Sequence, residues 1–253
     1  MNSSISITQR GHVYTVEMRR PPENFIDEPL ADEIATALES LDSEPDCRCV
    51  VLVSEGKHFC AGANLAGRLE KGVVSTKHIY DHVGRMLQTR KPLIAAVQGA
   101  AVGAGLGLAL LADFRVASPQ ARFSANFTRQ GYHPGFGLTF TLPRVLGVQR
   151  ATWMFYSGAR VTGEEALRLG LADSLVPLEE LRVKAMEMAD EISQSGPLAI
   201  EETRASLRGD FSQRFMDALS KERAVQKTLQ ETDDYREGVM AMKERRQPLF
   251  QRR

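Results

Sequence analysis

Apolar and polar residues alternate in two short segments near the start of the chain. Residues 5–8 and 13–18 both show this period of two, and the polar residues 9–12 separate them. Alternation places every second side chain on one face of an extended strand. The pattern therefore predicts a β-hairpin within the first twenty residues.

The next segment shows the period of an α-helix. Large apolar residues recur there at spacings of four, four and three: Leu30, Ile34, Leu38 and Leu41. This spacing lines one face of a helix, and Asp27 followed by Pro29 is typical of a helix start. We predict an amphipathic helix that begins near Asp27.

Three continuous apolar runs follow, at residues 49–53, 93–97 and 114–117. A strand without alternation is typical of a sheet that is covered on both faces. Helical stretches separate the three runs, and strands joined through helices are usually parallel. The fold class predicted is therefore α/β with a largely parallel core.

The last third of the chain is predicted to be almost entirely helical. Thr162 and Glu165 have the spacing of a capping box, and the short helix that they begin ends at Gly170. Helical patterns continue over residues 178–195 and again after Pro197. We predict a core that contains the functional site at residues 1–195 and a helical oligomerisation region at residues 196–253.

One internal segment, residues 66–80, has mixed polarity, two glycines and no clear period. Such a pattern favours neither a helix nor a strand. We predict a mobile loop or lid there.

The longest uncharged stretch, residues 92–112, has the 21 residues that a membrane-spanning helix needs. It contains Pro92, Gln98 and four glycines, and charged residues lie at both of its ends. These helix-breaking residues favour a buried strand, a glycine turn and a buried helix. We expect no membrane span.

The composition excludes further classes of protein. The 32 basic and 32 acidic residues balance, which argues against a nucleic-acid surface, because such surfaces need clustered Lys and Arg. Three cysteines, Cys47, Cys49 and Cys60, indicate neither a disulfide framework nor a four-ligand zinc site. The first twenty residues do not resemble a signal peptide, so we expect a cytoplasmic location.

Runs of small residues follow two of the predicted strands, at residues 59–65 and 98–105. Small residues let a ligand approach the main chain, and two converging N–H groups form an oxyanion hole. The same glycines would also permit tight packing of a helix on a strand, and spacing alone does not separate these alternatives. The sequence lacks a P-loop, a third dinucleotide-binding glycine and a G-x-S-x-G elbow.

Six sequence blocks, taken together, are recognisable. Residues 59–65 read FCAGANL and residues 91–99 read KPLIAAVQG, and four further blocks lie at residues 20–24, 103–105, 163–171 and 235–250. Through these blocks the chain resembles the crotonase (enoyl-CoA hydratase/isomerase) superfamily over essentially its whole length. The first two are similar to the family segments FSAGADL and KPVIAAVNG, residues 20–24 to its RPxxN turn and residues 103–105 to its three-glycine run.

The resemblance implies a spiral of ββα units with C-terminal helices that build a homotrimer or a dimer of trimers. It also implies an acyl-CoA substrate, with coenzyme A as part of the substrate and no separate cofactor. The thioester carbonyl would meet the main-chain N–H groups of Ala63 and Ala104.

Coenzyme A itself would contact further positions by the same resemblance. Ala61, Asn64 and Leu65 would lie where CoA enters, and Arg245 would lie near its nucleotide end. An ordinary solvated helix charge is the alternative for Arg245.

Three departures from the family pattern bear on the reaction. The two glutamates that hydratases of this family use would fall at Gly107 and Phe127, and a carboxylate found in some isomerases and a dehalogenase would fall at Gly135. Without these groups the acid–base chemistry of hydration is missing.

Two residues of the loop at 131–137 remain as candidates for catalysis. His133 can exchange a proton near neutral pH, and Tyr132 carries a hydroxyl that can donate to an oxyanion. The alternative is that both only brace a Pro-Gly turn. His78 and His82 have the spacing of a metal pair, but no third ligand is evident, and a solvated helix face is the favoured interpretation, so no metal is predicted.

Two functions are carried forward from the sequence. The first is an acyl-CoA enzyme that stabilises an enolate or oxyanion and catalyses isomerisation, decarboxylation or thioester hydrolysis rather than efficient hydration. The second is a non-catalytic acyl-CoA carrier or regulator. No nucleic acid or membrane partner is expected.

Overall fold

The computed structural model describes residues 3–71 and 78–253. The strands in these ranges are Ile5–Arg10 (β1), Val13–Met18 (β2), Cys49–Ser54 (β3), Leu93–Val97 (β4), Ala100–Val102 (β5), Phe114–Ala117 (β6), Arg122–Ser124 (β7), Arg160–Thr162 (β8) and Ser174–Leu175 (β9). The α-helices are Glu28–Asp42 (α1), Leu65–Lys71 (α2), Ile79–Met86 (α3), Ala104–Leu111 (α4), Leu138–Leu146 (α5), Val148–Ser157 (α6), Gly163–Leu169 (α7), Leu181–Ser193 (α8), Pro197–Arg208 (α9), Phe211–Leu229 (α10) and Asp233–Glu244 (α11). Two 3-10 helices span Asn126–Gln130 and Leu178–Glu180.

The predicted hairpin and first helix are confirmed. Strands β1 and β2 are antiparallel, with Ile5 opposite Met18, and the turn is shorter than predicted because β1 continues to Arg10. The Asp27 side chain accepts a hydrogen bond from the Leu30 N–H and so caps α1. All four leucine and isoleucine positions of the predicted apolar face are buried.

Six strands form the larger sheet, in the order β1-β2-β3-β4-β6-β9, and every pairing except the hairpin is parallel. Strands β3 and β4 are buried along their whole length. On one face Val51 and Ile94 pack against Ala185 of α8, and on the other face Leu52 belongs to a core shared with α1. The absence of alternation in these runs therefore reflects a sheet that is covered on both faces.

The chain alternates between the larger sheet and a smaller, three-stranded sheet. The smaller sheet has the order β5-β7-β8, and Cys60 adds a parallel bridge to Ala101 at its edge. Strand β4 enters the larger sheet and β5 the smaller one, α4 follows, and β6 and β7 repeat the division. Each turn thus contributes one strand to each sheet, which confirms the α/β class and the repeating ββα unit.

The uncharged stretch at residues 92–112 forms β4, β5 and α4 instead of one long helix. Within the described ranges, no helix combines the length and the apolar character needed to cross a bilayer.

The predicted loop at residues 66–80 is wrong at both ends. Helix α2 occupies residues 65–71 and α3 begins at Ile79, while residues 72–77 lie outside the described part of the chain. Side-chain caps explain why helices form without a periodic pattern: Asn64 Oδ1 accepts from the Gly67 N–H, and His78 caps α3 together with Asp81. The division at residues 195 and 196 stays a prediction, and α9 begins at Pro197.

Candidate functional site

Two extended segments from different turns of the spiral run side by side. The Phe59 N–H donates to the Gln98 carbonyl at 2.8 Å, the Cys60 N–H to the Ala100 carbonyl at 2.9 Å, and the Val102 N–H to the Cys60 carbonyl at 3.1 Å. This parallel ladder holds the two runs of small residues next to each other.

The ladder brings the predicted oxyanion-hole residues together. A methyl group added at Gly62 would lie 3.9 Å from the Ala104 nitrogen, so the peptide before Ala63 is adjacent to the start of α4. Among the described residues, neither the Ala63 N–H nor the Ala104 N–H donates to a protein acceptor. Ala104 is the first residue of α4, where the helix dipole adds positive potential. The two amides can therefore serve one negative oxygen.

A cavity of about 320 Å³ lies in front of these amides. Ala63 and Ala104 line it, as do three residues predicted to contact coenzyme A: Ala61, Asn64 and Leu65. The fourth, Arg245, is exposed beyond the end of α11 and is absent from the lining.

Among the side chains that the structure describes, which exclude those of residues 68 and 70–77, no aspartate or glutamate lines the cavity. Aromatic side chains lie at or beside the three positions where the family resemblance leads us to expect carboxylates. A methyl group at Gly107 would lie 2.6 Å from the Phe136 ring, and one at Gly135 would lie 2.0 Å from the Tyr80 hydroxyl oxygen. Phe127, at the third position, is buried and lines the cavity. Aromatic side chains therefore fill the space around each position.

Tyr132 brings a hydroxyl group to the cavity wall. It is buried, lines the cavity and accepts a hydrogen bond from Gln230 Nε2 at 2.7 Å. Its ring packs on Tyr235 with the ring centres 5.0 Å apart. Tyr132 is therefore a hydroxyl-bearing residue of the cavity wall whose position is fixed by Gln230 and Tyr235.

Tyr80 also lines the cavity, but its hydroxyl is committed to the protein. It donates to Gln226 Oε1 at 2.8 Å and accepts from the Phe136 N–H at 3.1 Å. Burial, together with the charge of Glu222, raises the pKa of Tyr80 above its ordinary value. Tyr80 therefore stays neutral and fixes the backbone at Phe136.

The structure does not bring the His133 side chain to the cavity. His133 Nδ1 lies 2.6 Å from the Pro134 carbonyl oxygen, and the His133 carbonyl accepts from Gln226 Nε2 at 2.9 Å. His133 is half-buried and is absent from the cavity lining. Its contacts are those of a residue that braces the turn.

His78 is a cavity residue whose role the sequence did not indicate. The His78 Nδ1 atom accepts from the Tyr80 N–H at 3.2 Å, so the neutral ring carries its hydrogen on Nε2. His82 lies apart from it, buried between the Glu28 and Asp32 carboxylates rather than on a solvated face. His78 thus caps α3, and His82 contacts α1. The described residues form no metal-binding cluster.

Glu222 is a second residue that the sequence did not single out. Its carboxylate accepts from the Gly137 N–H at 2.7 Å, the Thr139 N–H at 2.9 Å and the Thr139 hydroxyl at 2.6 Å. Burial raises the pKa of Glu222 to about 7, and the donors at Thr139 and Gly137 partly offset that effect. Glu222 does not line the cavity, and it holds the loop at residues 131–137 against α10.

Comparisons with known proteins agree with this architecture. The family model described as enoyl-CoA hydratase/isomerase matches residues 8–253. The chain is 31% identical to the putative enoyl-CoA hydratase/isomerase YngF of Bacillus subtilis, over 99% of both chains. It is also 31% identical to the 2,3-dehydroadipyl-CoA hydratase of Escherichia coli, over 99% of this chain and all of that one.

Solved structures show the same similarity. EchA1_1 from Mycobacterium paratuberculosis is 28% identical, with a TM-score of 0.89 over 99% of each chain. An enoyl-CoA hydratase/isomerase from Pseudoalteromonas atlantica has a TM-score of 0.91 at 24% identity, over 98% of this chain and all of that one, and supports the fold alone. The crotonase-like fold expected from the sequence is confirmed.

Proposed function

Because the chain belongs to the enoyl-CoA hydratase/isomerase family, we propose that it binds an acyl-CoA thioester and stabilises the enolate or oxyanion of the thioester carbonyl. The Ala63 and Ala104 N–H groups would donate to the carbonyl oxygen. The observation that carries this proposal is that Ala63 and Ala104 both line one cavity and that neither N–H group has an acceptor among the described residues.

The cavity lining favours particular reactions within that chemistry. Hydration needs a general acid and a general base, and none of the side chains that the structure describes along the cavity is a carboxylate. Decarboxylation makes the smallest demand on the protein. The bond between the alpha carbon and the carboxylate breaks, CO2 leaves, and the electron pair of that bond forms the enolate, which then takes one proton from water. Isomerisation and thioester hydrolysis need one proton carrier or a bound water. We favour these three reactions over efficient hydration, with decarboxylation first.

His133 is the one predicted site residue that has no role in this proposal. Tyr132 would donate its hydroxyl hydrogen toward the substrate, while Ala61, Asn64 and Leu65 would line the path of coenzyme A. Arg245 at the nucleotide end remains a prediction. His133 has no contact with the cavity, so we assign it to the turn instead of to proton transfer.

The homotrimer or dimer of trimers, the cytoplasmic location and coenzyme A as part of the substrate remain expectations from the family resemblance. No separate cofactor is part of the proposed chemistry.

A panel of thioesters tests the reaction. Malonyl-CoA, 3-butenoyl-CoA, a β-ketoacyl-CoA and crotonyl-CoA are incubated separately with the full-length protein, and the products are measured by chromatography and mass. We expect malonyl-CoA or 3-butenoyl-CoA to be converted faster than crotonyl-CoA is hydrated. Hydration of crotonyl-CoA at the rate of an ordinary hydratase would overturn the proposed reaction class.

A carrier or regulator of acyl-CoA is the second candidate. The described cavity lining contains no carboxylate, and this observation favours a carrier as well as it disfavours hydration. Calorimetry on the same panel, compared with the product analysis, separates the two candidates. A carrier binds thioesters without converting any of them, whereas an enzyme converts at least one.

A further inference from the structure

A second cavity of about 440 Å³ adjoins the proposed acyl-CoA cavity. Asn126 and Met242 line both cavities, and Asn126 Nδ2 lies 3.6 Å from Met242 Sδ. The contact between these two side chains is therefore part of the wall that separates the cavities. Met242 is 41% exposed, and its unbranched side chain has three rotatable bonds, so this wall is adaptable.

The second cavity is basic. Its lining includes Arg129, Arg160 and Arg246 and, within the described parts of the chain, no acidic residue. Arg246 is neutralised by ion pairs with Glu237 and Glu244. Two positive charges remain, because Arg129 and Arg160 form no ion pair with any side chain that the structure describes.

Arg129 is held in a defined position. Arg129 Nε donates to the Ser157 carbonyl at 2.8 Å, and Arg129 Nη1 lies 3.4 Å from Gln247 Oε1. A guanidinium group has five N–H donors, so further donors remain for a ligand. An arginine that is already ordered loses less side-chain entropy when it binds a carboxylate.

We propose that the second cavity binds a carboxylate at the far end of the acyl group. The substrate class would then be an acyl-CoA with a terminal carboxylate, whose chain passes the Asn126–Met242 contact to reach Arg129 and Arg160. This inference rests on the proposed function, because it needs the thioester to lie at Ala63 and Ala104.

A matched chain-length series tests the inference by calorimetry. Succinyl-, glutaryl-, adipyl- and suberyl-CoA are compared with butanoyl-, pentanoyl-, hexanoyl- and octanoyl-CoA, so that each pair differs by the terminal carboxylate. At one length at least, we expect the carboxylate to tighten binding roughly tenfold or more, as charge-assisted hydrogen bonds do.

Variants then locate the effect. Arg160→Gln should abolish most of the preference for the carboxylate and leave binding of the uncharged chains unchanged. The Arg160 side chain makes no hydrogen bond to the described residues, so its loss should not disturb folding. Arg129→Lys keeps the positive charge but replaces the guanidinium group that bonds to Ser157 and Gln247. Arg150→Gln, on the exposed side of α6, is the matched control and should bind every ligand as the wild type does.

The outcomes separate this inference from the proposed function. Equal binding of the two series at every length would overturn the inference alone. Absence of binding for every thioester would overturn the proposed function and the inference with it. If Arg160→Gln weakened free CoA and hexanoyl-CoA as much as adipyl-CoA, the cavity would hold the CoA phosphates, and the inference would be wrong.

Discussion

Gly105 of α4 lies directly against Cys60: a methyl group added at Gly105 would be 2.1 Å from the Cys60 carbonyl oxygen. That oxygen already accepts from the Val102 N–H. The close approach joins the start of α4 to the segment that leads to Ala63. It therefore sets the distance between the two amides of the proposed oxyanion hole.

Replacing Gly105 by alanine should separate those amides. We expect Gly105→Ala to lower the free energy of unfolding by about 1–3 kcal/mol, as overpacking does, and to weaken acyl-CoA binding. Denaturant titration and calorimetry measure the two effects. Gly196→Ala is the control, because the nearest atom to its added methyl group would be 3.9 Å away. Unchanged affinity in Gly105→Ala would show that the spacing of the amides is unimportant.

The Ala104 N–H can be removed with little change elsewhere. Proline is tolerated at the first residue of a helix, so Ala104→Pro deletes one donor of the proposed hole. We expect its turnover to fall roughly 10²–10³-fold, the usual effect of losing an oxyanion donor. Ala104→Gly keeps the N–H and should retain activity close to the wild type. Equal activity of the two variants would contradict a role for this amide.

Tyr132 lines the cavity and its neighbour His133 does not. Tyr132→Phe keeps the ring packed on Tyr235 and removes the hydroxyl, so we expect kcat to fall roughly 10²-fold on the converted substrate. His133→Gln should leave kcat near the wild-type value, because His133 does not line the cavity. The reverse result in steady-state kinetics would restore His133 as the proton carrier.

Glu222 should make the stability of the protein depend on pH. Its pKa is about 7 in the folded chain and 4.5 in the unfolded chain, so between these values the folded protein holds a proton that the unfolded chain has lost. The associated stability is fully present below pH 4.5 and is lost as the pH rises through about 7, by about 3 kcal/mol in total.

Substitution of Glu222 isolates this effect in urea titrations between pH 4 and 8. Glu222→Gln does not titrate, so the wild type should lose stability relative to Glu222→Gln as the pH rises through this window. Glu202→Gln, at an exposed position of α9, should follow the wild-type curve. Parallel curves for the wild type and Glu222→Gln would rule out the raised pKa.

Local patterns predicted most of the elements that surround the site. The alternation at residues 5–18, the helix from Asp27 and the buried runs at 49–53 and 93–97 all appear in the structure. The predicted loop at 66–80 is wrong at residues 66–71 and 79–80, because the helices there depend on side-chain caps at Asn64 and His78. A cap involves one or two side chains and leaves no period in the sequence.

The sequence predicts main-chain donors in the candidate site better than it predicts where side chains point. Ala63 and Ala104 follow from the runs of small residues and the family resemblance, because main-chain donors do not depend on side-chain direction. Tyr132 and His133 are adjacent in sequence, yet the Tyr132 side chain reaches the cavity and the His133 side chain does not. His78 reaches the same cavity from a segment that had been expected to be a loop.

The sequence by itself determined the ββα elements and the two glycine bends, because each of these is a property of a short stretch of chain. Only the tertiary structure decided that Phe136 fills the space beside Gly107 and that Arg129 and Arg160 border one cavity. These relationships join segments that are distant along the chain. Their geometry is set by how the two sheets and α11 pack, which no local pattern of residues encodes.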